Sequence, residues 1–201
     1  MARPQSPDYD KRRAAIIAAA ADLFAARGFD GTSVAMLADA CQTSKSLVYH
    51  YFPSKDDVLH AVMAAHLDAL VAASSAAPAG GEPRERLREM TRRFMRLYVG
   101  AGASHKVLLN ELDKLPEARR AEVVAKQREI IAAFGSVLAE IRPDVDHAAL
   151  CRPLTMLFFG MINWTHTWLR PGGSLSSDQV AELASHLMLG GLEGLQIQGW
   201  R

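Results

Sequence analysis

The chain has 201 residues, 49% apolar and 22% charged, with a formal net charge of +1. That composition is ordinary for a soluble globular protein and ample for a buried core, in one large domain or in a small one plus a medium one. Near-zero net charge gives no global signature of nucleic-acid binding, no apolar run reaches about 18 residues, and the N-terminus does not read as a signal peptide.

Helical spacing dominates, with no internal repeat and no strand-like alternation beyond a few residues. Residues 10–27 place Ala14, Ile17, Ala18, Ala21, Phe24 and Ala25 on one stripe, and Gly28 supplies the stop. Asp30-Gly31 turns the chain; Thr32 or Ser33 then caps a second helix, and Ser44 is placed to cap a third. Pro53-Ser54 opens a fourth, with Asp56 and Asp57 favourably placed in its first turn. That helix runs through Val58, Leu59, Val62, Leu67 and Leu70 to about Ala73, and residues 74–83 form a small, Pro/Gly-rich linker. Further helices are expected near 83–101, 104–113, 117–141, 146–170 and 177–197. The fold expected is all-α with about nine helices: a three-helix unit over 1–56 and a larger helical unit over 57–201.

In the N-terminal unit Phe24, Phe29, Val34, Leu37, Ala38, Val48 and Phe52 form a small core, leaving Lys45, Ser46, Leu47, Tyr49, His50 and Tyr51 near or on the surface. A short exposed helix carrying hydroxyls, one cation and aromatic hydroxyls suits a DNA major groove. An ordinary surface helix with incidental tyrosines fits the same periodicity. Charge does not separate the two: residues 1–60 carry seven Lys/Arg against seven Asp/Glu, whereas residues 84–128 carry twelve against six, an excess of +6. Lys11, Arg12 and Arg13 read either as non-specific attraction or as a solvated run.

Over roughly residues 10–58 the chain resembles the helix-turn-helix region of the TetR/AcrR family of bacterial transcriptional regulators. Tyr49-His50-Tyr51-Phe52-Pro53-Ser54-Lys55 matches the family's third-helix ending residue for residue. The resemblance implies that Ser44 belongs to the DNA-binding set, that Lys45, Ser46 and Leu47 approach base edges, that Tyr49, His50 and Tyr51 touch phosphates, and that Ser33 and Lys55 add backbone clamps. It also implies a double-stranded DNA operator, a homodimer, a small-molecule effector and no cofactor. Two departures stand out. Gln42 occupies a turn position where the family favours Gly, at a cost of about 1 kcal/mol. Leu47 replaces a small hydroxyl residue, so it can meet a thymine methyl but cannot hydrogen-bond.

The C-terminal helix is expected to present Val180, Leu183, Ala184, Leu187, Met188, Gly191 and Leu195 on one side, with Gly190, Gly191 and Gly194 allowing close approach, which suits a dimer face together with the 146–170 helix. A frayed terminal helix is the alternative. The segment Phe158–Leu169 reads either as plain core or as a cavity wall, and resembles one found in TetR-type regulators of fatty-acid and aromatic-acid degradation, which sense acyl-coenzyme A thioesters. On that resemblance Arg92, Arg93 and Arg96 would hold phosphates. Met95, Tyr98, Leu109, Phe134, Phe158, Met161, Trp164 and Trp168 would line an apolar slot. A drug-like or free-acid ligand is the alternative effector.

Enzyme chemistry is not expected: there is no His-Glu-x-x-His, no Gly-x-Ser-x-Gly, no phosphate-binding Gly loop and no paired carboxylates. The seven histidines lack paired ligand spacing, and Cys41 and Cys151 show no CxxC, so no metal site and a reducing cytoplasm are expected, with no membrane association. A helical small-molecule carrier without DNA binding is the remaining alternative class.

Overall fold

A computed structural model describes residues 7–75, 81–147 and 149–197. Among these residues the secondary structure is all helical, with ten α-helices and two short 3-10 turns. The helices are α1 (Pro7–Arg27), α2 (Val34–Ala40), α3 (Lys45–Tyr51), α4 (Lys55–Ser75), α5 (Pro83–Gly100), α6 (Gly102–Asn110), α7 (Glu117–Ile141), α8 (Pro143–His147), α9 (Cys151–Asn163) and α10 (Ser177–Gly194). The 3-10 turns are Leu112–Lys114 and Trp164–Thr167. Half of the expected linker, residues 76–80, and Arg3 lie outside the described residues.

Packing groups the helices into two units: residues 1–66 with 103–124, and residues 67–102 with 125–201. The helix pair α6 and the first turns of α7 therefore count with the N-terminal helices, whereas the sequence suggested a division at 56/57. The core of the first unit is built from Ile16, Ala20, Phe24, Phe29, Leu37, Val48, Phe52 and Val62, with Leu108 and Val123 added by α6 and α7. Every expected core residue of the motif is buried save Val34, which is half-buried. The α1 stripe sits one step away from the expected one: Ile16, Ala20, Ala21 and Phe24 are inside, while Ala14 and Ala18 are exposed. In so alanine-rich a helix several faces are nearly equal in hydrophobicity, and Ile16 and Phe24 decide between them.

Two helix ends close alike. At the end of α2, Thr43 N–H donates to the Ala38 carbonyl (2.9 Å) and Gln42 N–H to that of Asp39 (3.0 Å), with Gln42 at φ +51°. At the end of α8, Leu150 donates to Val145 (2.8 Å) and Ala149 to Asp146 (2.9 Å), with Ala149 at φ +55°. Both are Schellman closures made without glycine. The second corrects the continuous helix expected over 146–170: the left-handed residue ends α8, and Pro153 has no N–H to carry the ladder back across the break.

The second unit centres on aromatic packing. Phe134 of α7 lies 5.0 Å, centroid to centroid, from both Phe94 of α5 and Phe159 of α9, and 5.8 Å from Phe158. Thr165 and Met95 meet behind them at 4.0 Å. Helix α4 contributes residues to both units. It is long and apolar enough in composition to cross a membrane, but half of that stretch is buried inside the protein, as in a core helix.

In the first unit, His66 of α4 and His105 of α6 share a buried hydrogen bond of 3.2 Å between Nε2 and Nδ1. Burial drives the His66 imidazole down from 6.5 to about 4. Between those values the unfolded chain takes a proton that the folded chain refuses, so stability is complete above pH 6.5 and falls as pH drops toward 4. The loss approaches about 3 kcal/mol. Urea unfolding at pH 7.5 and at pH 5 should show this fall in the wild type and a shallower one in His66→Asn; parallel profiles would remove His66 as the cause.

Candidate nucleic-acid interface and effector region

The third helix is set by its cap. Ser44 Oγ accepts the Leu47 N–H (3.2 Å) and pairs with Ser46 Oγ (2.9 Å), while Val48 and Phe52 anchor the helix in the core. With those two inside, Lys45, Ser46, Tyr49 and His50 are exposed, Tyr49 by half its surface, and Leu47 and Tyr51 are half-buried. Tyr51 packs on Tyr9 of α1 at 4.6 Å, and His50 meets both rings edge-on. Ser33 caps α2 by accepting the Met36 N–H (3.2 Å). Thr32, the alternative cap, is buried and turns its hydroxyl back to the Gly28 carbonyl (2.9 Å).

Beside the outer face of α3 lies a depression of about 290 Å³, lined by Arg12, Ala15 and Ile16 of α1, by Cys41, Gln42 and Thr43 of the turn, and by Leu47 and Tyr51. It brings the Arg12 guanidinium, the Thr43 hydroxyl and the Gln42 amide next to the two recognition-helix residues that lean toward α1. Thr43 is a lining position that sequence reasoning passed over, and Arg12, read there only as part of the run Lys11-Arg12-Arg13, gains a specific place here. Their signal is that an exposed Arg on α1 falls on the same side as the helix turn, which needs the packing of α1 to be known. Neighbouring Arg13 instead lies over the Phe52 ring, 5.2 Å from its centroid.

Lys55 departs from its expected part as a reaching phosphate cation. Its Nζ donates to the carbonyls of Phe29 (2.8 Å) and Thr32 (3.0 Å) and sits 4.0 Å from the centre of the Phe29 ring. Ser54 opens α4 by accepting the Asp57 N–H (3.1 Å) while donating to the Asp57 carboxylate (2.8 Å). Asp57 also receives Arg119 of α7 (3.1 Å), and Glu122 of α7 pairs with His60 (3.0 Å).

The arginines expected at an effector are placed otherwise. Arg84, Arg88, Arg92 and Arg96 form one row on α5 and face the acids of α10. Arg96 grips Asp178 through two hydrogen bonds (2.7 and 2.6 Å), Arg92 reaches Glu182 (3.2 Å) and Glu85 (3.1 Å), and Arg84 pairs with Glu193. Arg93 binds Glu89 at 2.7 Å. Hydrogen bonds from Arg93 and Arg96 hold the Glu89 and Asp178 carboxyls below their ordinary range. Arg92, Arg93 and Arg96 are thus neutralised by carboxylates at the protein surface, and the positive excess of residues 84–128 is answered by Asp178, Glu182 and Glu193 of α10 together with Asp30, Asp57, Asp68 and Glu140.

The expected slot divides in two. Met95, Tyr98, Phe134 and Phe158 are buried and fill the second core by packing on one another, and burial pushes the Tyr98 phenol up so that it stays neutral. Leu109 and Met161 are half-buried; Leu109 belongs to α6 and counts with the first unit. Trp164 and Trp168 point outward, 66% and 47% exposed, and so cannot line an enclosed cavity in this chain alone. They join Met156 and Leu157 of α9, while Leu183 and Leu187 stand out from α10. Gly160, Gly190, Gly191 and Gly194 are exposed, with open space where a Cβ would stand. On α10 the apolar positions separate into Val180, Ala184, Met188 and Leu192 inside and Leu183, Leu187 and Gly191 outside. Leu195 lies past the helix end in extended backbone, so it is not on the helical face expected of it.

Two family models match the chain. The model for bacterial regulatory proteins of the tetR family covers residues 16–62, and that for the tetracyclin repressor-like C-terminal domain covers residues 80–192. The chain belongs to the TetR family. A TetR-family transcriptional regulator from Bordetella parapertussis 12822 is 41% identical, covers 92% of this chain and 97% of its own, and superposes with a TM-score of 0.85. The HTH-type transcriptional repressor KstR2 of Mycobacterium tuberculosis H37Rv is 27% identical over 195 residues, 91% of this chain and 94% of the relative. AibR, solved with isovaleryl coenzyme A and operator DNA, is 26% identical over 88% of this chain and 97% of its own, with a TM-score of 0.76. By family the protein is a DNA-binding transcriptional regulator.

Because the Lys55 ammonium is engaged with two carbonyls, Lys55→Met should lower folding stability by about 1–3 kcal/mol before any effect on DNA is read. Chemical denaturation measures it. Unchanged stability with weakened operator binding would restore Lys55 to a phosphate.

Proposed function

We propose that the protein represses transcription in the bacterial cytoplasm as a homodimer on a near-palindromic operator, and that an acyl-coenzyme A thioester releases it. The first 56 residues supply DNA contacts, and residues 57–201 supply effector binding and dimerisation. The observation that carries the DNA part is the outer face of α3, where Lys45, Ser46 and Tyr49 stand exposed on a helix fixed by its cap and its two core anchors. Lys45 and Ser46 read base edges; Tyr49, His50, Tyr51 and the Ser33 end of α2 meet phosphates. Arg12 and Thr43 add a second phosphate seat beside Leu47, which itself offers a base edge only apolar contact. A single seven-residue helix reads few base pairs, so two copies about one helical turn apart are needed.

The outward face of α9 and α10 supports the dimer. It combines large apolar side chains with exposed glycines, which let helices approach closely, and apolar area of this kind marks an interaction surface. The acyl-coenzyme A effector is supported by the likeness to AibR, whose solved complex holds isovaleryl coenzyme A. An uncharged apolar effector is the second reading. It is favoured by the pairing of Arg92, Arg93 and Arg96 with carboxylates and by the wholly apolar cluster around Phe134.

With an operator selected from random duplexes, Tyr49→Ala and Arg12→Ala should each weaken binding to every sequence, and Arg12→Ala should lower the salt slope by about one unit. Lys45→Ala should instead change which base is preferred. Full binding in Tyr49→Ala with an intact fold would sink the placement of α3.

Leu187→Glu should yield monomers in sedimentation and lose operator binding. A folded wild-type monomer at micromolar concentration would reject the dimer. Acyl-coenzyme A esters, free acids and neutral hydrophobes titrated against the operator complex decide between the two effector readings.

A further inference from the structure

Within the second unit, a groove of about 630 Å³ runs beside the middle of α7. Its α7 wall combines Ile131 with the small residues Ala132, Gly135, Ser136 and Ala139, so that a thin, extended molecule can lie along the helix. Arg128 stands on the α7 wall, and Arg152, in the first turn of α9, on the opposite side. Both are exposed, and neither has an ion pair among the described residues. This contrasts with the row on α5, where each arginine meets a carboxylate. Arg152 also stands at a helix start that has no side-chain cap, adding the partial positive charge of that turn.

We propose that this groove seats the phosphate-bearing half of a coenzyme A-type effector, an assignment that rests on the acyl-coenzyme A reading above. Two guanidinium forks flanking one groove suit a diphosphate and a ribose phosphate, with fork geometry that a single carboxylate does not require. The small-residue wall takes the pantetheine arm. Asp146, also on the groove, is hydrogen-bonded to the neighbouring Cys151 thiol, so its carboxylate lies on the pantetheine side, where amide N–H groups rather than phosphates meet it. The volume falls within the range of sites for ligands of drug-like size.

The position suits a regulatory site. The same uninterrupted helix that lines the groove carries Arg119 and Glu122 near its start, and these bind Asp57 and His60 on α4, the helix that follows the recognition helix in the chain. A ligand that shifts α7 along or about its axis loads those two ion pairs and, through the first turn of α4, the Lys55 contacts to Phe29 and Thr32. Only a difference in affinity between the two α7 positions is required.

The test uses the full chain with isovaleryl-coenzyme A, free coenzyme A and isovaleric acid as probes. Calorimetry reads binding and fluorescence anisotropy reads release from the operator. Two variants separate charge from shape: Arg128→Gln with Arg152→Gln, and Ala132→Trp, which fills the groove and leaves both cations in place. Each should bind the operator as the wild type does without ligand, and each should bind isovaleryl-coenzyme A and free coenzyme A about tenfold or more weakly. Wild-type affinity for the thioester in both variants overturns the groove and leaves the acyl-coenzyme A reading standing. No binding of either coenzyme A compound to the wild type overturns both.

Discussion

The ammonium of Lys55, donating to the Phe29 and Thr32 carbonyls above the Phe29 ring, joins the start of α4 to the loop that leads into α2. Helices α2 and α3 have seven residues each, too short to be stable alone, so their positions come from caps and contacts. Phe29 is held in the core, Thr32 is held by its own hydroxyl bond to Gly28, and Ser33 begins α2 one residue later. Fixing that loop from α4 therefore fixes where α2 starts, and through the closed turn at Gln42 where α3 points. An ammonium, with three donors on a compact charge, can serve two carbonyls and a ring face at once.

Charge follows a comparable logic in the second unit. The arginine row of α5 is attractive as a ligand site only while the acids of α10 are out of view. Bringing the two helices together turns the row into a ladder of surface ion pairs, each of modest value because water and salt screen it. Its contribution lies in fixing the alignment of α5 and α10: Arg84 meets Glu193 at one end and Arg96 meets Asp178 at the other.

What could be read from the sequence is what local chemistry decides. The Ser33 and Ser44 caps, the stop at Gly28, the full extent of α7 and the left-handed backbone at Gln42 all depend on residues within a few positions of one another. The outward set on α3 follows from two anchors, Val48 and Phe52, on the same short helix. The misjudged features depend on partners far along the chain. Arg96 needed Asp178, Lys55 needed Phe29, and the break at Ala149 has no glycine to announce it. Trp164 and Trp168 were assigned to a cavity by residue type, yet their direction is set by which side of α9 holds Phe158, Phe159 and Ile162. The alanines of α1 misled for the opposite reason, since they constrain the helix face too weakly.

Two of the chain's three tryptophans stand on the uncovered side of α9 and of the turn that follows it. Indoles in water emit at long wavelength, and those shielded by apolar neighbours emit further to the blue. The protein thus carries a built-in optical reporter at the surface with the largest exposed apolar side chains. Dilution that separates covered copies would shift the emission to the red without any added label, and the concentration at its midpoint would give the strength of the association.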